Sequence, residues 1–316
     1  MNGFGNSVRD FLEGKGFHCK DVTPAGTLSY QLMNVISADG EISRKVMLLN
    51  IDAETEEEAQ THSAEAWDAI STVREKGDGM PVIMAEDRWY SQTGMVRDRL
   101  LAHLEVFFPI YARNCEVRRI DKHTAADFLT VTHSYGDAAC RYRYGLFLKR
   151  HTGHIARTLG SSSESSESWN DRIMDSVPSA GSLIAVATFS NARKWVKGDK
   201  TIRSYEWTRY ASLPGIRVTG GMGRLLKAFI NEVCPDDIMS YADLEWSEGK
   251  VYEQLGFTLE GHKSPVVFEI DADTWVRSVP CSHNCRRPET SCENTQKYFF
   301  KNFGSAKYRL KLTEYE

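Results

Sequence analysis

No run of apolar residues in this chain of 316 reaches the roughly 20 positions that a membrane-spanning helix needs, which excludes a helical integral membrane protein. Met1 to Lys20 has neither the basic start nor the apolar stretch of a signal peptide, so a cytoplasmic location is expected. The seven cysteines are odd in number and scattered, which does not fit a secreted disulfide framework, and reduced thiols are expected. Neither sign of charge dominates: the net charge is −4, and total charge therefore names no partner.

What the chain does have is enough length and apolar content, 41%, to bury the cores of two domains. Charge is also unevenly placed. Residues 1–108 hold 10 Lys+Arg against 18 Asp+Glu, residues 109–230 hold 19 against 10, and residues 231–316 hold 10 against 15. A central stretch of +9 inside an acidic protein is the footprint of a phosphate-binding surface, or else a solvated face balanced by acidic neighbours. Arg141, Arg143, Lys149, Arg150, Arg193, Lys194 and Lys197 are its candidate contacts to double-stranded DNA.

Periodicity divides the chain into a smaller α/β domain over 1–110 and a second domain over 111–316. The first reads as the helix "VRDFLEGKGF", the strand "SRKVMLLNID", the helix "EAWDAISTVREKG", the strand "MPVIMAEDRWY" and the helix "GMVRDRLLAHLEVFF". In the second, the strand "IYARNCEVRRI" and helix "KHTAADFLTVTH" precede a hairpin of "RYRYGLFLKR" and "SLIAVATFSNARKW". Its two arms are separated by a Ser-rich insert at about 151–180, whose "GSSSESSES" cannot bury apolar surface and is expected to be mobile. The strand "SYEWTRYAS", a glycine turn, the helix "GRLLKAFINEV" and the strand "DDIMSYAD" follow.

That turn, "RVTGGMGRLLKAF", sets Arg217, Gly220, Gly221 and Gly223 between a strand and a helix N-terminus. Free amides and the helix dipole there favour an anionic phosphate, although such a turn also serves as a plain connection. The order of hairpin, strand, glycine turn with helix, strand, and a helix ending in "YEQLGF" resembles the Gcn5-related acyltransferase superfamily, a mixed sheet with flanking helices. The resemblance implies an acetyl-CoA or related acyl donor held by the turn, where Met222 departs from the small residue usual in the family. It also implies that Tyr252, before Gly256 and Phe257, returns a proton to the leaving thiolate.

The ordered set "IYARNCEVRRI", "FLTVTHSYG", "YEWTRYAS", "VTGGMGRLLKAF" and "YADLEWSEGKVYEQLGF" further resembles phage DNA-modification proteins of the Mom type, which alter adenine in DNA. That resemblance implies a pocket shared by His133 with Ser134 and Tyr135, Glu206 with Arg209, Asp243 and Tyr252. Glu206 would deprotonate an attacking amine, and Arg209 would orient that carboxylate or hold a DNA phosphate. His133 and Asp243 would form a base and its orienting partner, or two ligands of an iron site. The bland alternatives are a capping His133, a strand-end Asp243 and a core Trp246. Trp246 could otherwise stack on a flipped base.

The segment before "IYAR" resembles the very-short-patch and PD-(D/E)xK nuclease fold in related phage proteins. "VMLLNIDAETEEE" keeps Asp52 but has no Asp/Glu-x-Lys, so a degenerate, non-cleaving nuclease-like domain is expected. Finally, Cys281, His283, Cys285 and Cys292 in "CSHNCRRPETSC" offer four ligands for a structural zinc, with free thiols as the alternative. An acyl-CoA N-acetyltransferase acting on a small amine or protein, and a catalytically inactive DNA-binding accessory protein, stand beside the DNA-modifying transferase. The oligomeric state is not legible.

Overall fold

The computed structural model describes residues 3–23, 29–150, 178–280 and 296–315. The architecture is mixed α/β, with several sheets and flanking helices. No helix among the described residues is long and apolar enough to cross a membrane.

The chain forms two compact units that are not contiguous in sequence. The first takes Met1–Leu100, Asp243–Glu248 and Lys263–Ser305, and the second takes Leu101–Ala242, Gly249–His262 and Ala306–Glu316. The single cut expected at 110/111 therefore misses two returns of the chain into the first unit.

In the first unit, α1 (Gly3–Glu13) leads into β1 (Phe17–Asp21), β2 (Tyr30–Ser37) and β3 (Ser43–Leu49), then α2 (Glu56–Glu75) and β4 (Val82–Ala85). The sheet order is β1-β2-β3-β4, antiparallel except for the β3–β4 pair. Thr55 caps α2 by accepting the Glu58 N–H, and Glu56, Glu57 and Glu58 complement the helix dipole in its first turn. Ala66, Ile70 and Val73 of α2 pack on Met47, Leu49, Ile83 and Ala85.

The strand expected over "MPVIMAEDRWY" ends at Ala85. Glu86 and Asp87 open a short helix, α3 (Glu86–Ser91), because two carboxylates suit a helix N-terminus better than a strand. Helix α4 (Thr93–His103) follows. It stops short of the expected end, with Glu105 in the left-handed region at φ 64°.

The second unit begins with β5 (Phe108–Tyr111), and a single 3-10 turn at Ala112–Asn114 separates it from β6 (Cys115–Arg119), so the expected "IYARNCEVRRI" strand is two strands. Then come α5 (Lys122–Thr132), capped by Asp121, and strands β7 (Tyr142–Leu148), β8 (Leu183–Phe189), β9 (Arg193–Lys197), β10 (Lys200–Ser212) and β11 (Ile216–Thr219). Helix α6 (Gly221–Val233), β12 (Asp237–Asp243), α7 (Lys250–Gln254) and β13 (Thr258–Lys263) follow. The chain then adds β14 (Val267–Asp271), β15 (Arg277–Ser278) and β16 (Lys297–Lys301), a separate three-stranded sheet, and ends on β17 (Ser305–Lys311).

The large sheet runs β13-β17-β12-β10-β8-β7-β6, with β9 also paired to β10. Alternation along β8 gives it two covered faces. Val186 meets Ala125, Phe128 and Leu129 of α5, whereas Phe189 stacks on Phe229 of α6 with ring centroids 3.9 Å apart. β10 pairs with β12 in parallel for only three positions, Ser204↔Asp237 to Glu206↔Met239, and the β10–β8 register shifts between Trp207 and Arg209.

Charge is buried at the heart of the first unit. Arg277 donates to both Glu245 oxygens at 2.8 Å and to both oxygens of Asp87, one at 2.9 Å. Glu245 also faces Arg88 at 3.3 Å, and Asp87 and Glu245 are 0% and 2% exposed. Burial alone would raise the Glu245 pKa, but Arg277 and Arg88 overcome it and bring it down to about 2. Glu86 shows the opposite balance. Its carboxylate accepts the Ile51 N–H at 2.9 Å, yet burial dominates, with Asp52 and Asp87 adding repulsion, and raises its pKa to about 7.

Two predictions follow from these opposed shifts. Glu245, with a folded pKa below its unfolded value, contributes stability that is present above pH ~4.5 and lost as pH falls toward about 2, whereas Glu86, with a raised pKa, makes stability fall as pH rises from ~4.5 to about 7, each by ~3 kcal/mol. Melting of Glu86→Gln across pH 2–8 should lose the decline on the neutral side and keep the loss on the acid side. Arg277→Ala, which strands two buried carboxylates, should cost about 3–5 kcal/mol in chemical denaturation at pH 7.

Candidate functional site

Helix α6 opens on Gly220, whose φ of 77° is the left-handed conformation that glycine adopts without strain. No side chain caps it, and the first helical bond runs from the Arg224 N–H to the Gly220 carbonyl. The amides of Gly221, Met222 and Gly223 therefore precede that bond at the positive end of the helix dipole, an arrangement suited to a phosphate. Packing explains the other two glycines. A Cβ on Gly221 would lie 2.8 Å from Val218 Cγ1 and 2.9 Å from the Tyr210 hydroxyl, and one on Gly223 would lie 3.2 Å from Leu255 Cδ2. Arg217 is exposed, with its guanidinium over the Phe107 ring, while Arg224 donates to the Ala112 carbonyl at 3.0 Å.

Tyr252 projects from α7 into an aromatic nest. It stacks on Tyr308 at 5.3 Å and meets Trp207 and Phe257 edge-on. Ser240 Oγ lies 3.0 Å from the Trp207 carbonyl and 2.9 Å from the Tyr252 hydroxyl. Serine has one proton and a carbonyl only accepts, so with that proton on the carbonyl the phenol donates to Ser240. Burial raises the Tyr252 pKa, so the phenol keeps its proton at neutral pH and is a proton source. Ser240 sits on β12 beyond the last β10–β12 pair, where the strands have parted.

On β10, the Glu206 N–H donates to Ser190 Oγ and its carbonyl accepts from Ser190 N–H. Arg209 donates to the Gly136 carbonyl at 3.0 Å and to the Thr208 carbonyl at 2.8 Å. Burial lowers its pKa, opposed by nearby Glu206, Asp137 and Tyr135. The "THSYG" turn and the strand that carries Arg209 thus meet through the Gly136 carbonyl.

His133 is the C-cap of α5, and its Nδ1 accepts the Tyr135 N–H at 3.1 Å. A neutral His133 then carries its proton on Nε2, which makes it a turn-stabilising histidine with its basic nitrogen occupied. Asp243 belongs to the first unit, where its carboxylate faces Arg88 at 3.5 Å and accepts the Glu245 N–H at 3.0 Å. Trp246, also there, lies under the guanidinium groups of Arg99, at 4.3 Å, and Arg88, at 5.3 Å, so its ring is covered by arginine. No group of three or more His, Cys, Asp or Glu able to hold a metal occurs among the described residues, so the implied iron set of His133 and Asp243 is not found. Cys281, His283, Cys285 and Cys292 lie outside the described residues, as does most of the Ser-rich insert.

The seven DNA-contact candidates split between two ends of the large sheet. Arg141 and Arg143 stand at the start of β7, where Arg141 N–H donates to the Phe189 carbonyl at the end of β8, and Arg193, Lys194 and Lys197 follow on β9. Lys149 and Arg150 lie past the other end of β7, about 20 Å away along the strand. Arg143 is half-buried and donates to the Cys140 carbonyl, whereas Arg141, Lys149, Arg150, Arg193 and Lys194 are exposed. Sequence reading missed Ser240 and Tyr308. "SYAD" contained the first, but nothing local marks Tyr308, which reaches Tyr252 from 56 residues later in the chain.

No family model matches the chain, and no curated protein does. Among solved structures, the chain is similar to one described as histone acetyltransferase HPA2 and related acetyltransferase, from Corynebacterium glutamicum. Identity is 12%, the match covers 64% of this chain and 98% of that one, and the TM-score is 0.31. Neither a family nor an activity follows from a likeness of that size.

The tyrosine nest is sensitive at Gly249, whose φ is 79° and where a Cβ would lie 2.5 Å from the Tyr308 ring. Gly249→Ala should therefore destabilise the protein by roughly 1–3 kcal/mol and displace Tyr308 from its stack on Tyr252. Loss of melting temperature with altered near-ultraviolet circular dichroism is the expected readout.

Proposed function

We propose that the second unit is an acyltransferase-like enzyme that modifies an amino group of a nucleobase, adenine in the first instance, in double-stranded DNA, in the manner of Mom-type proteins. The observation that carries this reading is the pairing of an uncapped helix N-terminus at Gly221–Gly223 with a protonated Tyr252 hydroxyl beside the parting of β10 and β12. An acyl-CoA donor, when bound, supplies the activated carbonyl. The α6 amides suit its phosphates, since they are unpaired donors at the positive end of a helix. Tyr252 suits protonation of the leaving sulfur, because burial keeps its proton in place, and Ser240 is positioned to hold the phenol in orientation. Glu206 is the base for the acceptor amine, and Arg209, anchored to the Gly136 carbonyl, orients that strand end.

The first unit is read as a degenerate nuclease-like domain. Asp52 lies 3.3 Å from His62 Nδ1, with no lysine two residues beyond it on the chain. The binding of His133 Nδ1 within its own turn favours a second reading, in which the protein is a DNA-binding accessory without chemistry.

Mass spectrometry of nucleosides from DNA incubated with the protein and acetyl-CoA separates the two. A new adduct is expected, and Tyr252→Phe should lower its formation by roughly a hundredfold or more with donor affinity retained. Unmodified DNA alongside acetylation of a polyamine would place the acceptor among small amines, and full activity in Tyr252→Phe would remove the proton donor from this mechanism.

A further inference from the structure

Strand β9 pairs with β10 alone, in the register Arg193↔Ser204, Lys194↔Arg203, Trp195↔Ile202, Val196↔Thr201 and Lys197↔Lys200. β12 joins β10 only from Ser204 and β8 only from Trp207, so residues 193–203 form a two-stranded ribbon running past the rest of the sheet. Directly opposed residues share a face. The Trp195–Ile202 pair faces inward: Ile202 is 2% exposed, and the Trp195 ring meets Tyr315 edge-on and lies under Arg309. The alternate face presents Lys194, Arg203, Val196 and Thr201, with Val196 73% exposed.

This ribbon concentrates charge of one sign. Residues 193–203 contain five Lys+Arg and one Asp. Lys194 stands opposite Arg203, and like charges directly opposed across strands are destabilising. Asp236 pairs with Arg203 at 3.4 Å, and Lys200 donates to the Glu314 carbonyl at 3.0 Å. A polyanion laid along the outer face would neutralise Lys194 beside Arg203, and Arg141, at the same end of the sheet, would extend the cationic track.

We propose that the ribbon of residues 193–203 docks in the major groove of duplex DNA, with Lys194, and Arg141 at the same end of the sheet, on phosphates and Val196 and Thr201 against base edges. A two-stranded ribbon fits the roughly 12 Å width of the B-form major groove, and apolar contact there suits the thymine methyl. The deep, narrow major groove of A-form RNA does not admit it. The proposal rests on duplex DNA being the acceptor, but its residues lie outside the Gly220–Gly223 turn and the Tyr252 nest, so docking and donor binding are separable.

The test uses the full chain, a fluorescein-labelled B-form duplex and anisotropy over a salt series, with CoA binding followed in parallel by calorimetry. The double variant R141E/K194E should weaken DNA binding at least tenfold and flatten the salt dependence by about two phosphate equivalents, with CoA affinity and melting temperature unchanged. Val196→Asp should weaken binding further in the same assay, and an A-form RNA duplex should compete poorly. Wild-type affinity and salt slope in the double variant would overturn the ribbon as the docking element, and equal competition by RNA would overturn the groove. Loss of DNA binding in the variant from a protein that never binds CoA would leave the ribbon standing and remove the acyl-donor reading instead. CoA binding by a wild-type protein with no affinity for the duplex would do the reverse.

Discussion

A guanidinium with little access to water needs carboxylates, and Arg277, whose side chain is 10% exposed, has two that are more deeply buried, Asp87 and Glu245. Stranding any one of the three would cost several kcal/mol, so the three chain stretches that carry them have to meet. This requirement accounts for the least expected feature of the chain path: residues 243–248 and 263–305 return to a unit whose other residues end at Leu100. Apolar contact could supply comparable stability, but it lacks direction. Bidentate bonds from one planar group to two carboxylates fix the orientation of β15 and α3 as well as their proximity. Arg99 adds to the same construction by donating to the Trp246 carbonyl at 2.6 Å and to the Ile83 carbonyl at 2.9 Å while covering the Trp246 ring.

The crowding of Asp243, Glu245, Trp246 and Tyr252 around one short helix then has two unrelated causes. The first three serve the buried charge of the first unit. Tyr252, only six residues after Trp246 in the chain, faces Ser240, Trp207 and Tyr308 of the second. Gly249 marks the change. Its left-handed backbone turns the chain into α7, and its missing side chain makes room for Tyr308. A motif that reads as one constellation in the sequence is thus a structural half and a candidate chemical half joined end to end.

Helices were the most legible elements, because α2, α5 and α6 each carry an apolar stripe, and Asp121 and Gly220 mark two of their starts in the sequence itself. β3, β8, β10 and β12 were visible as apolar or alternating runs. β9, β11 and β13 to β17 were not, since short or largely exposed strands have no periodic signature and owe their existence to partners far away in the chain. The candidate site was legible to the extent that it was local. "THSYG" and Arg209 do meet, but the tautomer that ties His133 to its own turn depends on one backbone N–H that no spacing rule reveals. The +9 of the central region was countable, whereas its division between two ends of a sheet followed only from strand register.

The glycine turn shows how a correct position can be read for an incomplete reason. Glycines at 220, 221 and 223 suggested close approach of a phosphate, yet Gly221 is demanded by Val218 and Tyr210 and Gly223 is crowded by Leu255, neighbours that exist whether or not anything binds. The glycine pattern therefore has little weight as a signature of a coenzyme. What remains is the part glycine does not determine. Three amides stand ahead of the first helical bond without a capping side chain, and position 220 could not supply one, since its left-handed backbone is not the extended conformation that a capping residue needs. Leaving those donors open forgoes about 1 kcal/mol of helix stability, and an anion at the same place would recover it.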